Sequence, residues 1–534
     1  MRRWNGWGDD SFSMETPMGG MAYLESKVTP GPRLEDASLD FVCQQVPETR
    51  LPQHPLIVTA MEDRVRHARG QSLPDWLAMR SGDFGVFPDG VAYPESTEQV
   101  EALIAFAYEQ NIEVIPYGGG TSVAGHINPL QSDKPVLTIS MSKMTHLLDI
   151  NQESQIATFG AGVPGPQVEA QLRAKGYTLG HFPQSWELST LGGWVASRSS
   201  GQQSLRYGRI ESLFAGGVMV TPEGRLTIPT IPASSAGPDL REVVMGSEGR
   251  MGIITEVKVR VTPLPEQETF YAVFLPSFEQ AKNAVRSLVQ SKVPLSMLRV
   301  SNALETETQL KLAGHEKQIA LLEKYLAFRG VSNGKCLLTF GITGQKAQNK
   351  ASFKQAQKIL KQFGGVKGPA MMGKKWAENR FKFPYLRENL WLAGYAVDTF
   401  ETATDWDNVT DQMNAMEEAV RQAVKDEGIT PHVYTHLSHM YAQGCSIYTT
   451  YVFPNADSYS ETLERWKKIK HAASESVANG KATISHQHGV GKDHAPYLVK
   501  EKGALGMKSL ESMVQFFDPK QLLNPGTLLG KNQD

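Results

Sequence analysis

Three glycine-bearing segments, in order within about 150 residues, constrain this chain more than any other feature. The first is Pro116-Tyr117-Gly118-Gly119-Gly120-Thr121-Ser122. The second, Gly192-Gly193-Trp194-Val195, lies in a run that begins Pro183-Gln184-Ser185 and ends Ser197-Arg198-Ser199-Ser200-Gly201. The third is Met245-Gly246-Ser247-Glu248-Gly249-Arg250-Met251-Gly252-Ile253-Ile254. Consecutive glycines let backbone N–H groups turn toward a pyrophosphate at close range, and Thr121 and Ser122 add hydroxyl donors. A tight turn also needs glycine, so each segment alone is a weak signal. Three in this order are hard to obtain by chance. None is the GxGxxG fingerprint of a Rossmann unit.

The surrounding pattern is α+β. Ser96 is placed to cap a helix, with Gln99 three residues on completing a capping box. Val100, Leu103, Ile104 and Ala107 follow at helical spacing. Short strands are predicted at 113–116, 136–139, 157–159 and 213–220. After residue 265 the texture shifts to a strand at 271–274 and a helix at 277–290. Helical stretches follow around 305–329, 350–363 and 407–427, with strands at 335–340 and 446–453. The expected division is a helical and irregular region at 1–85, a glycine-loop domain at 86–265, a second α+β domain at 266–480 and a C-terminal segment at 481–534 with a helix near 506–517.

Composition narrows the functional classes. A net charge of −2 provides no basic field for nucleic acid. No apolar run is long enough to span a membrane, and the N-terminus lacks a leader pattern. Cys43, Cys336 and Cys445 are scattered. That argues against a disulfide framework or a cysteine zinc site and fits a reducing cytoplasm.

Near the C-terminus the chain reads Ser485-His486-Gln487-His488-Gly489-Val490-Gly491-Lys492. Two imidazoles and a carboxamide on a tight loop can exchange protons near neutral pH. By themselves they read as a surface loop whose histidines cap a turn.

Together these segments resemble the FAD domain of the vanillyl-alcohol-oxidase (PCMH-type) flavoproteins, and within that group the alkyldihydroxyacetonephosphate synthase family. The resemblance covers nearly the whole chain. It is carried by Arg3-Trp4-Asn5-Gly6-Trp7-Gly8, the glycine segments, Tyr207-Gly208, Phe400-Glu401-Thr402-Ala403, Ile447-Tyr448 and the His-Gln-His loop. It implies a two-subdomain FAD-binding domain, an α+β cap over the substrate and a C-terminal segment that returns to the flavin. Pro116, Gly118, Gly119, Gly120, Thr121 and Ser122 would hold the pyrophosphate. Gln184, Ser185, Thr190, Gly192, Gly193, Ser197, Gln203 and Arg206 would line the cofactor. Glu248, Gly249, Gly252, Ile253 and Ile254 would close its other side. Thr121 stands where many relatives carry a flavin-linking histidine, so non-covalent FAD is expected.

The reaction implied is redox-neutral: a long-chain alcohol replaces the acyl group of an acylated dihydroxyacetone phosphate in ether-lipid synthesis. Tyr448 matches the family's acid/base tyrosine, a role that requires a lowered phenol pKa. Read without the resemblance, it is an ordinary strand tyrosine. Arg387 matches a substrate-binding arginine, with Arg299 as a second candidate; a surface salt bridge is the ordinary fate of either. His486 and His488 match the outer positions of a triple-histidine loop. Gln487 replaces the middle one, and glutamine cannot shuttle a proton. The Asn524-Pro525-Gly526 tail resembles hydroxyacid-oxidising relatives instead.

Two other readings stand beside this one. One is an FAD-linked oxidase or dehydrogenase of a D-2-hydroxy acid or related alcohol. Tyr448 and Gln487 occupy the places of metal ligands in its metal-dependent members, so no divalent site is expected. The other is a flavin-binding protein without turnover. The expected partner is a small or lipid substrate bearing phosphate or carboxylate. A homodimer and a peripheral membrane contact are both compatible with the sequence.

Overall fold

The computed structural model describes residues 2–14 and 18–530. Its first sheet has the order Ile57–Val58, Gly90–Ala92, Val136–Ser140, Glu113–Tyr117, and the last three strands run parallel. These strands read as continuous apolar runs because both faces are covered; every residue of Val136–Ser140 is buried. The second sheet is antiparallel, in the order Leu147–Asn151, Ile156–Gly160, Ile253–Arg260, Phe214–Thr221, Gly224–Ile228.

The third sheet has seven antiparallel strands. Their order is Val366–Lys367, Gln267–Leu275, Cys336–Gly344, Met297–Ser301, His432–Met440, Gly444–Pro454, Tyr395–Asp405. Tyr395–Asp405 and Gly444–Pro454 pair over eleven residues, which sets Glu401 opposite Tyr448. On the other side of Tyr448 the pairing sets His436. Directly opposed residues share a face, so register alone aligns His436, Tyr448 and Glu401 across three strands.

The C-terminal segment returns to the first sheet. Val114 donates to Leu522 and Asn524 donates to Val114, each at 2.8 Å. Arg250 Nη1 meets Asp518 Oδ2 at 2.9 Å, with the two side chains 4% and 0% exposed. Asp518 also accepts from the Leu522 and Leu523 amides and from Tyr108.

Local readings needed three adjustments. Ser96 accepts from the Gln99 amide, but the Gln99 side chain caps Glu95 rather than Ser96, so only half of the box forms. The stretch at 305–329 divides into Ala303–Leu312 and Glu316–Phe328, because Gly314 and His315 take left-handed φ of 67° and 59°. The last helix begins at Leu498 rather than near 506 and kinks at Gly503.

Removing one partner of a buried ion pair strands the other charge, which costs about 3–5 kcal/mol, whereas replacing both with apolar groups is often neutral. Asp518→Ala should therefore lower the melting temperature more than the double change Arg250→Met with Asp518→Leu. Calorimetry checks the order; a double variant that melts below the single one would contradict it.

Candidate functional site

A cavity of about 510 Å³ runs between the glycine segments and one face of the seven-stranded sheet. The three glycine segments form its first wall because they are pressed together. A Cβ on Gly119 would lie 1.9 Å from the Leu188 carbonyl, and one on Gly118 would lie 2.4 Å from Thr190 Oγ1. Gly249, at φ +74°, leaves only 2.7 Å to Pro116. The amides of Gly119, Gly120 and Thr121 have no protein acceptor among the described residues. Asn524 Oδ1 is buried beside the cavity without a partner. Free donors on a glycine cradle fit a pyrophosphate-bearing cofactor.

Of the cofactor residues expected from sequence, Pro116, Gly118 to Ser122, Gln184, Ser185, Thr190, Gly192, Gly193, Ser197, Glu248, Gly249, Gly252, Ile253 and Ile254 line this cavity. Gln203 and Arg206 do not. Gln203 is buried and donates to Glu268 Oε2 at 2.8 Å. Arg206 is exposed and lies over the Tyr207 ring.

The sheet supplies the opposite wall. The Tyr448 hydroxyl donates to Thr399 Oγ1 at 3.0 Å. Its ring stacks on His436, with centroids 4.9 Å apart, and meets His488 edge-on at 5.5 Å. Burial, aided by the Glu401 charge, pushes the phenol up to about 12. The lowered pKa expected from sequence is thus replaced by a raised one, and Tyr448 is a neutral donor near pH 7. Burial also lowers His436 and His488, which keeps both imidazoles neutral.

The His-Gln-His loop is held by two carboxylates. Glu401 Oε1 accepts from the backbone N–H groups of His486, Gln487 and His488 at 2.9, 2.9 and 3.1 Å, and from Ser485 Oγ at 3.0 Å. Burial would raise this carboxyl, but His488, His486 and the backbone donors outweigh burial and hold it well below the usual range. Glu248 accepts from Val490 at 2.6 Å and Gly491 at 2.8 Å, and its Oε2 lies 3.1 Å from His126 Nε2. Its carboxylate thus serves the loop. Gln487 and His488 face the cavity. His486 is not part of its lining: its Nε2 bonds the Tyr441 hydroxyl at 2.6 Å, and its carbonyl accepts from Arg209 at 2.7 Å.

The arginines differ sharply. Arg299 lines the cavity but is neutralised, with Nη2 2.6 Å from Glu305 Oε1 and 3.1 Å from His436 Nδ1. Arg387 rests over Trp76 at 4.3 Å and donates Nη1 to the Gln71 carbonyl at 2.6 Å. Its Nε and Nη2 are buried without partners, and burial pushes its pKa down to about 10. Sequence reasoning missed Arg380, Glu401 and His436. Only the crowding of aromatic residues around Arg380, in Trp376 to Phe383, could have flagged the first. Leu298, Leu312, Leu386, Leu390 and Val397 give the same cavity an apolar branch.

Known proteins resemble this chain in sequence and fold. Residues 88–228 match the family described as FAD binding domain, and residues 264–528 match FAD linked oxidases, C-terminal domain. The alkyldihydroxyacetonephosphate synthase of Dictyostelium discoideum is 29% identical, over 99% of this chain and 93% of its own length. That of Trypanosoma brucei brucei is 30% identical, over 87% of this chain and 77% of its own. A solved alkyldihydroxyacetonephosphate synthase superposes with a TM-score of 0.82 at 26% identity, covering 98% of both chains. The chain belongs to the alkyldihydroxyacetonephosphate synthase family of FAD-binding proteins.

Proposed function

We propose that this protein is an FAD-dependent alkylglycerone-phosphate synthase, which exchanges the acyl chain of an acyl-dihydroxyacetone phosphate for a long-chain alcohol. The observation that carries the reading is the wall opposite the glycine cradle. A neutral phenol sits between two neutral imidazoles, and a guanidinium with free donors shares the cavity with an apolar branch.

When bound, FAD supplies an isoalloxazine ring able to accept an electron pair. Pro116, the Gly118–Ser122 backbone and the Gly249–Ile254 turn would hold it. In the exchange the departing carboxylate leaves with its bonding pair and the alcohol loses one proton, so no electron acceptor is consumed. Arg387 suits the phosphate through Nε and Nη2. His488, neutral and facing the cavity, is the proton acceptor on the loop. Gln487 can orient a hydroxyl but carries no proton. Tyr448 donates a hydrogen bond and can return to the substrate carbon the one proton that a cavity imidazole takes from it earlier in the exchange, so no carbon-bound proton is gained or lost overall. The free cysteines suit a reducing cytoplasm. Among the described residues no helix is long and apolar enough to cross a membrane; contact with one would be peripheral.

Three outcomes follow. Removing an acid/base group costs about 100-fold or more in rate, so Tyr448→Phe should lose that much synthase turnover with palmitoyl-dihydroxyacetone phosphate and hexadecanol while keeping its melting temperature. Full activity in the variant, or wild-type flavin reduction by a D-2-hydroxy acid in its place, would sink the assignment. The raised phenol means that wild type and Tyr448→Phe should show equal phenolate absorbance at pH 9, against an ordinary tyrosine pKa of about 10; a wild-type excess would restore a phenolate base. With Thr121 in the glycine segment, acid precipitation should leave a colourless pellet and a yellow supernatant, and flavin that stays with the chain would refute non-covalent binding.

A further inference from the structure

We infer that Arg380 is a second anchor for the phosphate of the substrate, an inference that rests on the synthase reading above. Arg380 follows the helix Ala370–Asn379 and lines the same cavity as Arg387. Its guanidinium carbon lies 5.0 Å from the ring centres of both Phe182 and Phe381, 5.4 Å from Phe270 and 5.9 Å from Trp376. Nε and Nη1 are buried and donate to nothing, and the side chain has no ion pair among the described residues. Its carbonyl is held by Gln184 Nε2 at 2.9 Å, which fixes the backbone from which the side chain projects.

Glu268 and Glu169 act on this guanidinium only beyond hydrogen-bond range, and a guanidinium buried without a directly bonded anion is disfavoured. Four aromatic faces offset part of that through their quadrupoles but offer no hydrogen-bond acceptor. Nε and Nη1 lie on different edges of the planar group, each beside Nη2, so each edge keeps a buried donor that no protein atom answers and either edge can meet phosphate oxygens. Arg299 shows the contrast: its charge is already answered by Glu305. The substrate rather than the cofactor is favoured because the unbonded Gly119, Gly120 and Thr121 amides already provide for a pyrophosphate.

The test is calorimetric titration of inorganic phosphate into the FAD-loaded protein, with FAD affinity measured separately by fluorescence quenching on the apoprotein. Arg380→Gln should weaken phosphate by about 10-fold or more while FAD affinity stays within about 2-fold. Arg380→Lys, which keeps the charge but loses the fork, should fall between them and serves if the glutamine variant does not fold. Unchanged phosphate binding in both variants, or a wild type that binds no phosphate, overturns the inference. Loss of FAD affinity with phosphate binding intact also overturns it and assigns the cation to the cofactor. If phosphate binding falls as expected but wild type turns over no acyl-dihydroxyacetone phosphate, Arg380 keeps its anion and the synthase reading fails alone.

Discussion

One carboxylate fixes the chemistry of this site. Glu401 projects from the strand Tyr395–Asp405 and gathers three successive backbone N–H groups of the loop 486–488 on a single oxygen. Successive amides converging on one anion form a nest, and that anion must stay ionised to hold them. Glu248, from the third glycine segment, takes the next amides at Val490 and Gly491. The loop is thus pinned from both sides of the cavity. Its side chains have little choice. His488 is turned toward Tyr448, while His486 is directed to Tyr441. Because residue 401 stands opposite residue 448 in the sheet, the group that holds the loop and the phenol that faces it are set by the same register.

The electrostatics of the cavity follow from which charges are answered within the protein. Glu305, although burial opposes it, is held at about 2 by Arg299 and His436, and this buried pair leaves no free charge at the Arg299 end. Arg387 and Arg380 are left with unused donors. The rings packed on Tyr448 are the neutral imidazoles of His436 and His488, while the ionised Glu401 opposite it in the sheet helps keep the phenol protonated. The cavity therefore holds two arginines with unused donors and a neutral phenol between neutral imidazoles, beside apolar residues.

Much of this was legible in the sequence, and the divide is physical. The glycine segments were readable because close backbone approach admits no other residue; Gly119 against Leu188 is the clearest case. Strands such as Phe214–Thr221 and Gly444–Pro454 announced themselves through apolar runs. Gln203, Arg206 and His486 were misplaced because matching motifs locate a segment but not the direction of each side chain. Gln203 turns to Glu268, 65 residues away in sequence. The state of Tyr448 was equally hidden, since a pKa depends on burial and on partners from other strands. Glu401 stood within a quoted motif, yet its role depends on a loop 85 residues further along the chain. Arg380 has two of its four rings, Trp376 and Phe381, on its own segment, but Phe182 and Phe270 come from distant ones.

The central claim, that Glu401 holds the loop 486–488 through its amides, is tested most directly by hydrogen exchange. The amides of His486, Gln487 and His488 are followed in the FAD-loaded wild type and in Glu401→Gln. Opening of a locally held segment speeds its exchange without affecting the rest of the fold. The expected result is much faster exchange at these three amides with the paired strands Tyr395–Asp405 and Gly444–Pro454 unchanged. Equal protection in the two proteins would show that the loop is held by something other than this carboxylate.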